Sequence, residues 1–360
     1  METTFVVEST RACGHEKPRK TSVRVLAALC CLVMSTLANT QTGRSPKLDP
    51  LGRHAYDASA SSCNGNSILF YNADTGEGAI GKVSADGFRT TKTYPPGAFA
   101  KAWTHAVRVD ALNSILFYKQ STGDAAVGNL MNGEFKTNRT YNNFARGWTN
   151  ILYAGLHGTG SLPLFYNAAN GTGALGFSPS EREYPKGAFA SGWTHIVWND
   201  SGILFYNTYD GSGAVAVPFA SKPQSPHIVD DIKTTKTFPA GAFSTDWTHV
   251  VATGSSVLFY NYADGAGAVG RLTPSSVGGA NGFVTDKTYA PKQFAPHWTH
   301  VVSAADGLVL FYNSSSGEGA VGQIAGNQFV TSKVYPKDAF AHGFTHLVCA
   351  EDPPRTGPPH

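Results

Sequence analysis

Charge is scarce in this chain: only 15% of its 360 residues are Asp, Glu, Lys or Arg, and the formal net charge is +3. No cluster of Lys or Arg recurs along it, so the footprint of a nucleic-acid groove or an anionic membrane surface is missing and neutral partners are favoured. Long apolar runs are missing too. The run from Val25 to Leu37 is about 13 residues, short of the roughly 20 that span a bilayer as a helix. No nucleophile elbow, P-loop or metal-protease signature occurs. Cysteine is rare, with five in all, and Cys13, Cys30 and Cys31 fall within the first forty residues, leaving Cys63 and Cys349.

Lys17, Arg19 and Lys20 precede the short apolar run, and small residues around Ala38 follow it. This reads as a secretory signal peptide over 1–38 with a long charged lead, an uncleaved anchor being the alternative. A polar lead-in over 39–67 follows, then the body over 68–349 and a flexible tail over 350–360. In an exported protein the surviving Cys63 and Cys349 flank the body and suit a bridge joining its ends; two free buried thiols are the alternative. The sequons at Asn138, Asn170, Asn199 and Asn313 matter only in a eukaryotic secretory route.

The body is one phrase written six times. Leu-Phe-Tyr begins at Leu69, Leu116, Leu164, Leu204, Leu258 and Leu310, in steps of 47, 48, 40, 54 and 52 residues. The phrase continues with a Gly-x-Gly turn, an Ala-Val-Gly run, a segment ending in Tyr or Phe, and Phe-Ala-x-x-Trp-Thr-His, degenerate in the copies that read Trp148-Thr149-Asn150 and Phe344-Thr345-His346. That period belongs to repeat architectures. Four runs per copy have strand character: strand A such as Trp193 to Val197, B such as Ile203 to Asn207, C such as Gly213 to Val217, and D such as Ile232 to Phe238.

Four strands in about 48 residues match a β-propeller blade. Strand B is apolar on consecutive positions, so both its faces must be buried, as they are between two neighbouring blades. The expected fold is all-β: a six-bladed β-propeller of four-stranded blades. The array opens on strand B and closes on strand A, so pairing of the N- and C-terminal strands closes the ring. Where the A-to-B loop is then missing, Cys349 follows A and Cys63 precedes B, and a disulfide stands in for the peptide connection.

The B-to-C turn and the D-to-A link are restated in nearly every copy and share one face. Repeated loop chemistry is a stronger functional hint than repeated core chemistry. The candidate carbohydrate-binding residues there are Trp103, Trp193, Trp247 and Trp298; Tyr94, Tyr184 and Tyr289; and Asn72, Asn207, Asn261 and Asn313. Flat aromatic faces present surface to the C–H bonds of a sugar, and Asn supplies directional hydrogen bonds. Trp and His of each Trp-Thr-His are two apart, which places them on one side of strand A.

The same residues also fit a structural role, with a buried His hydrogen-bonding at every blade contact. A metal ring of histidines is broken by Asn150, so no metal or cofactor is expected. The residue between the turn glycines is Glu77, Asp124, Thr172, Ser212, Ala266 or Glu318; no acid is kept, which argues against a repeated hydrolase site and for a non-enzyme. Around Asp230 and Asp231 an isolated acid pair remains open.

The Phe-x-x-Gly-Trp-Thr-His and Leu-Phe-Tyr-Asn-x-x-x-Gly-x-Gly-Ala-Val-Gly patterns, spanning about residues 68 to 348, resemble the tandem repeats of secreted β-propeller lectins, the tachylectin-like and bacterial propeller-lectin group. The resemblance implies an extracellular lectin that takes one sugar per repeat between or on the blades. Lys119, Asn150 and Phe344 depart from the pattern, so fewer than six competent sites are expected. An extracellular protein-interaction scaffold is the alternative, and an extracellular hydrolase comes third.

Overall fold

The computed structural model describes residues 62–109, 114–155, 162–177, 182–221, 229–274 and 279–351. The signal-peptide reading, the lead-in before residue 62 and the tail beyond 351 lie outside them. No helix among the described residues is long and apolar enough to cross a membrane.

The strands run β1 (Ser67–Tyr71), β2 (Gly78–Ser84) and β3 (Gly87–Tyr94); β4 (His105–Arg108), β5 (Ser114–Tyr118), β6 (Ala125–Met131) and β7 (Glu134–Tyr141); β8 (Asn150–Ala154), β9 (Leu162–Asn167), β10 (Thr172–Leu175) and β11 (Arg182–Tyr184). Then follow β12 (His195–Asn199), β13 (Gly202–Tyr206), β14 (Gly213–Phe219) and β15 (Asp231–Phe238); β16 (His249–Thr253), β17 (Ser256–Tyr260), β18 (Gly267–Pro274) and β19 (Ala280–Tyr289). Last come β20 (His300–Ser303), β21 (Leu308–Tyr312), β22 (Gly319–Ala325), β23 (Gln328–Tyr335) and β24 (His346–Ala350). They form six four-stranded antiparallel sheets. Five are consecutive quartets; the sixth, in the order β24-β1-β2-β3, takes its A strand from the far end of the chain. Each A strand touches the A strands of both neighbouring blades, in the closed cycle β4, β8, β12, β16, β20, β24 and back to β4. The protein is a six-bladed β-propeller.

The seam lies where the broken repeat places it. Ile68 pairs with Cys349 and Tyr71 with His346, and Cys63 and Cys349 stand at disulfide distance with their Cα atoms 6.2 Å apart. Residues just ahead of β1 also reach across the ring: Ser62 N–H donates to Trp198 O of the fourth blade at 2.8 Å, and Arg108 Nη1 donates to Ser62 O at 3.0 Å.

Burial follows strand position. β1, β5, β13, β17 and β21 are buried at every residue, each large side chain contributing roughly 1.5–3 kcal/mol of transfer free energy. The outermost strands are exposed at half or more of their positions. Between C and D the register slips by one residue at Gly81, Gly128, Gly270 and Gly322. A Cβ there would stand 2.0 to 2.4 Å from the ring of Phe88, Phe135, Phe283 or Phe329, or from backbone oxygen. Blade four carries Ala216 at its slip and the smaller Ile232 in place of the Phe.

Candidate functional site

The turns and links share a face because they are bonded to each other. In blade one, Gly97 N–H donates to Thr75 O, Phe99 N–H to Gly76 O and Ala102 N–H to Ala73 O; blade four repeats this with Gly241 to Asp210, Phe243 to Gly211 and Asp246 to Thr208. Gly211 has φ +69° and a Cβ there would lie 2.0 Å from Phe243 O, while one on Gly213 would lie 2.7 Å from the Phe243 ring. Both turn glycines are therefore seats for the link. Gly211→Ala is expected to destabilise the fold by about 2 kcal/mol, read as a lower urea midpoint at unchanged m.

The Asn side chains hold the turns. Asn72 Oδ1 accepts from the N–H groups of Asp74 and Thr75 at 2.9 and 3.1 Å. Asn207, Asn261 and Asn313 accept from Tyr209, Ala263 and Ser315 at 2.9, 2.8 and 2.9 Å. These are Asx turns, and they occupy the acceptor oxygen a sugar hydroxyl would use. Asn72 and Asn207 are buried; Asn261 and Asn313 are half-buried. With Lys119 in the Asn place, blade two keeps the backbone bond of the turn, Gly123 N–H to Lys119 O at 2.9 Å.

The histidines form a belt around the inner ring. His105 Nε2 donates to Thr149 O, His195 to Thr248 O, His249 to Thr299 O and His300 to Thr345 O, each at 3.1 Å, and His346 closes the circle on Thr104 O at 3.2 Å. Each Nδ1 lies 2.7–2.9 Å from the Thr hydroxyl beside it. A backbone carbonyl can only accept, so each Nε2 carries a proton, and each Thr hydroxyl lies between Nδ1 and the carbonyl of a strand-B Tyr. Burial pushes the His105 and His195 imidazoles down from the usual 6.5 to about 4, against the pull of the carbonyl each one bonds.

Asn150 replaces one His, its Nδ2 reaching Thr194 O at 3.5 Å. Asn150→His is expected to restore the stronger bond and raise Tm by about 2–4 °C, the shift that roughly 1 kcal/mol produces in a domain of this size. A fall in a thermal scan would mean that the belt contributes nothing at this position.

The tryptophans lie elsewhere than their spacing suggests. Trp193 packs with Phe205, Tyr166 and Leu164 between blades three and four, whereas His195 leans on Tyr206 and bonds blade five. The two side chains leave opposite sides of the sheet, because β12 begins at His195 and strand alternation does not extend back to Trp193. Trp103, Trp193, Trp247 and Trp298 set their rings 6.0–6.2 Å from the strand-B Phe of their own blade, and Phe344 takes the same place 5.3 Å from Phe70. Trp193 and Trp298 are buried; Trp103 and Trp247 are half-buried.

The strand-D tyrosines join blades at the outside. Tyr94 OH accepts from Phe135 N–H at 2.7 Å and Tyr289 OH from Phe329 N–H at 2.6 Å, in each case from the D strand of the next blade. Tyr335 OH meets Phe88 N–H across the seam. Tyr184 OH accepts from Ile232 N–H at 3.0 Å and donates to Asp231 Oδ1 at 2.9 Å, which helps push its ionisation upward behind the larger effect of burial. All of these rings are half-buried. The six strand-B tyrosines, whose Tyr-Asn ends the sequence groups with the loop-face aromatics, point inward instead. All are fully buried, and their hydroxyls donate to link carbonyls such as Ala100 O and Ser244 O at 2.7 and 2.8 Å. Burial raises Tyr71 and Tyr118 to about 12. Exact repetition of the hydroxyl-bearing residue was the available signal.

The acids are engaged locally. Glu77, Asp124 and Glu318 take hydrogen bonds from Thr75, Thr122 and Ser316 in their own turns. Asp230 holds Ser221, while Asp231 faces Tyr184 and Arg182, so this pair is directed at structural partners and not at a shared substrate space. Among the described residues no group of three or more His, Cys, Asp or Glu is placed to hold a metal ion.

No protein-family model matches the chain, and no curated protein is similar to it. Solved structures are similar in backbone. A putative 6-phosphogluconolactonase from Bacteroides uniformis aligns at 11% identity over 78% of this chain and 83% of its own, with TM-score 0.43. A protein from Lactobacillus plantarum aligns at 12% over 81% and 87%, with TM-score 0.44. The β-propeller domain of Cps50 (Swd1) from Myceliophteria thermophila aligns at 13% over 73% and 98%, with TM-score 0.39. None of these likenesses bears on what this chain binds.

Proposed function

We propose that the protein is a secreted lectin that binds glycans multivalently through the repeated-loop face, and that it is not an enzyme. The observation that carries this reading is the set of aromatic rings left half-exposed on that face. Trp103 and Trp247 are open where Trp193 and Trp298 are not, and Tyr262 in a B-to-C turn lies edge-on to the exposed His297 of the adjoining link, centroids 5.1 Å apart. Rings of this kind beside turn amides and hydroxyls suit a sugar's mixed surface. The Asn residues then act by shaping the turns, and the buried tryptophans by holding blades together. Several weak sites on one rigid disc raise avidity toward a decorated surface. Position along the chain supports export, since the two cysteines outside the first forty residues are the ones that meet at the seam.

A glycan array tests the reading, followed by Trp103→Ala, Trp247→Ala and Tyr262→Ala. Each is expected to weaken binding about tenfold, a loss of roughly 1.4 kcal/mol, with Tm changed by only a few degrees. A correctly folded protein that retains no glycan at high concentration sinks the proposal.

A further inference from the structure

No Lys/Arg cluster recurs in the repeats, but a single cation does. Two residues before the ring that ends each D strand stand Lys92, Arg139, Arg182, Lys236, Lys287 and Lys333. Folding places all six on the perimeter of the disc, five of them exposed and Lys92 half-buried. Ring closure does not use them as it uses the Tyr, His and Gly positions. Lys92 and Arg182 do meet an acid at the start of the next D strand, Glu134 at 2.8 Å and Asp231 at 3.0 Å. The equivalent positions facing Lys236, Lys287 and Lys333 are Gly282, Gln328 and Gly87, and the described residues place no carboxylate within ion-pair distance of these three lysines.

Two further features give the perimeter a ligand preference. Lys92, Arg139 and Arg182 lie 5.9, 4.7 and 5.4 Å from the centroids of Tyr94, Tyr141 and Tyr184, so a cation and a half-buried aromatic ring recur side by side. Arg89, Lys136 and Lys233 add second cations on the D strands of blades one, two and four. The six D strands together carry nine Lys or Arg against four Asp or Glu, in a chain whose whole net charge is +3.

We infer that this rim is a second binding surface, distinct from the loop face and independent of the reading given for it, whose ligand is an anionic polysaccharide bearing sulfate or carboxylate groups. The rim's curvature selects the class. A flat anionic membrane meets one or two blades at a time, so it gathers few of the cations. Duplex DNA, with a persistence length near 50 nm, resists following a disc whose radius of gyration is roughly 20 Å. A flexible polyanionic glycan follows the curve, placing its charged groups on successive cations and its sugar rings against the tyrosines.

The test is retention and titration of the whole protein with heparin, polygalacturonate and neutral dextran, beside a DNA duplex and phosphatidylserine vesicles, at about 50 and about 250 mM salt. Binding to heparin or polygalacturonate but not dextran is expected, weakening at least tenfold at the higher salt. The combined variant Lys236→Gln, Lys287→Gln, Lys333→Gln should lose at least tenfold more while keeping its Tm and its response on a neutral-glycan array. Heparin alone or polygalacturonate alone as ligand identifies the charged group; either outcome supports the inference. Failure to bind both polyanions at low salt overturns it, as does binding unchanged in the triple variant or equal affinity for the duplex or the vesicles. Because Trp103→Ala and Trp247→Ala report on the loop face, loss of one surface is distinguishable from loss of the other.

Discussion

Acidification from pH 7.5 to 4.5 is expected to strip stability from this protein through His105 and His195. Both imidazoles are buried and neutral, and burial holds them near 4 instead of 6.5. The sign follows from proton counting. Below pH 6.5 the unfolded chain takes up a proton at each ring while the folded state does not, so the unfolded state gains. That loss grows as pH falls and levels off only below about 4. At 1.36 kcal/mol per pH unit, each ring accounts for about 3 kcal/mol when the window has been crossed.

The repeat itself supplies the control. Asn150 shows that an amide can stand in the belt without a titrating group. His195→Asn should therefore be modestly less stable at pH 7.5, by about 1 kcal/mol, and should lose less on going to pH 4.5 than the parent does. Urea melts at the two pH values measure this difference directly. Parallel pH profiles for parent and variant would show that the belt does not carry the acid lability.

Opening the Cys63–Cys349 link should have an effect of comparable size. The two residues are 286 apart in sequence, and the chain-entropy account gives a loop of that length on the order of 5 kcal/mol. The link also anchors the residues ahead of β1, among them Ser62 with its bonds to Trp198 and Arg108. Cys63→Ser with Cys349→Ser is thus expected to lower stability by about 3–5 kcal/mol. The first blade should become the weakest part of the ring, since β24 would keep its pairing with β1 and its packing on β4 and β20 but no covalent tie to the chain's other end. A double variant as stable as the parent would mean that strand pairing already closes the ring.

The repeat made the blade, the blade number and the seam legible before any coordinates. A run such as Leu-Phe-Tyr has no polar alternation and needs two dry faces, and an array beginning at strand B has one place to find its missing strand A. Element bounds followed closely, β13 beginning at Gly202 and β15 at Asp231. The use of each aromatic was less legible, because one residue type serves two ends. Trp193 and Trp247 share a motif, yet one is buried and the other half-exposed. Trp193 also defeats the two-residue alternation, since it precedes its strand. Tyr94 and Tyr289 are sugar-binding candidates by sequence; their hydroxyls take N–H groups from the neighbouring D strand, a contact between elements about forty residues apart that no local pattern announces. The recurring cation at Lys92, Arg139 and their counterparts was visible in the sequence only by aligning copies, since a single Lys per repeat forms no cluster.

Hydrogen exchange at β24 tests the account most directly. If the ring is closed by the chain's two ends, the amides of His346–Ala350 that face β1 will exchange as slowly as those of the inner strands of the other five blades, and will lose protection together with β1 on mild destabilisation. Exchange of that segment within seconds, at the rate of an unpaired tail and with β1–β3 still protected, would contradict closure and with it the six-bladed disc on which both proposed binding surfaces depend.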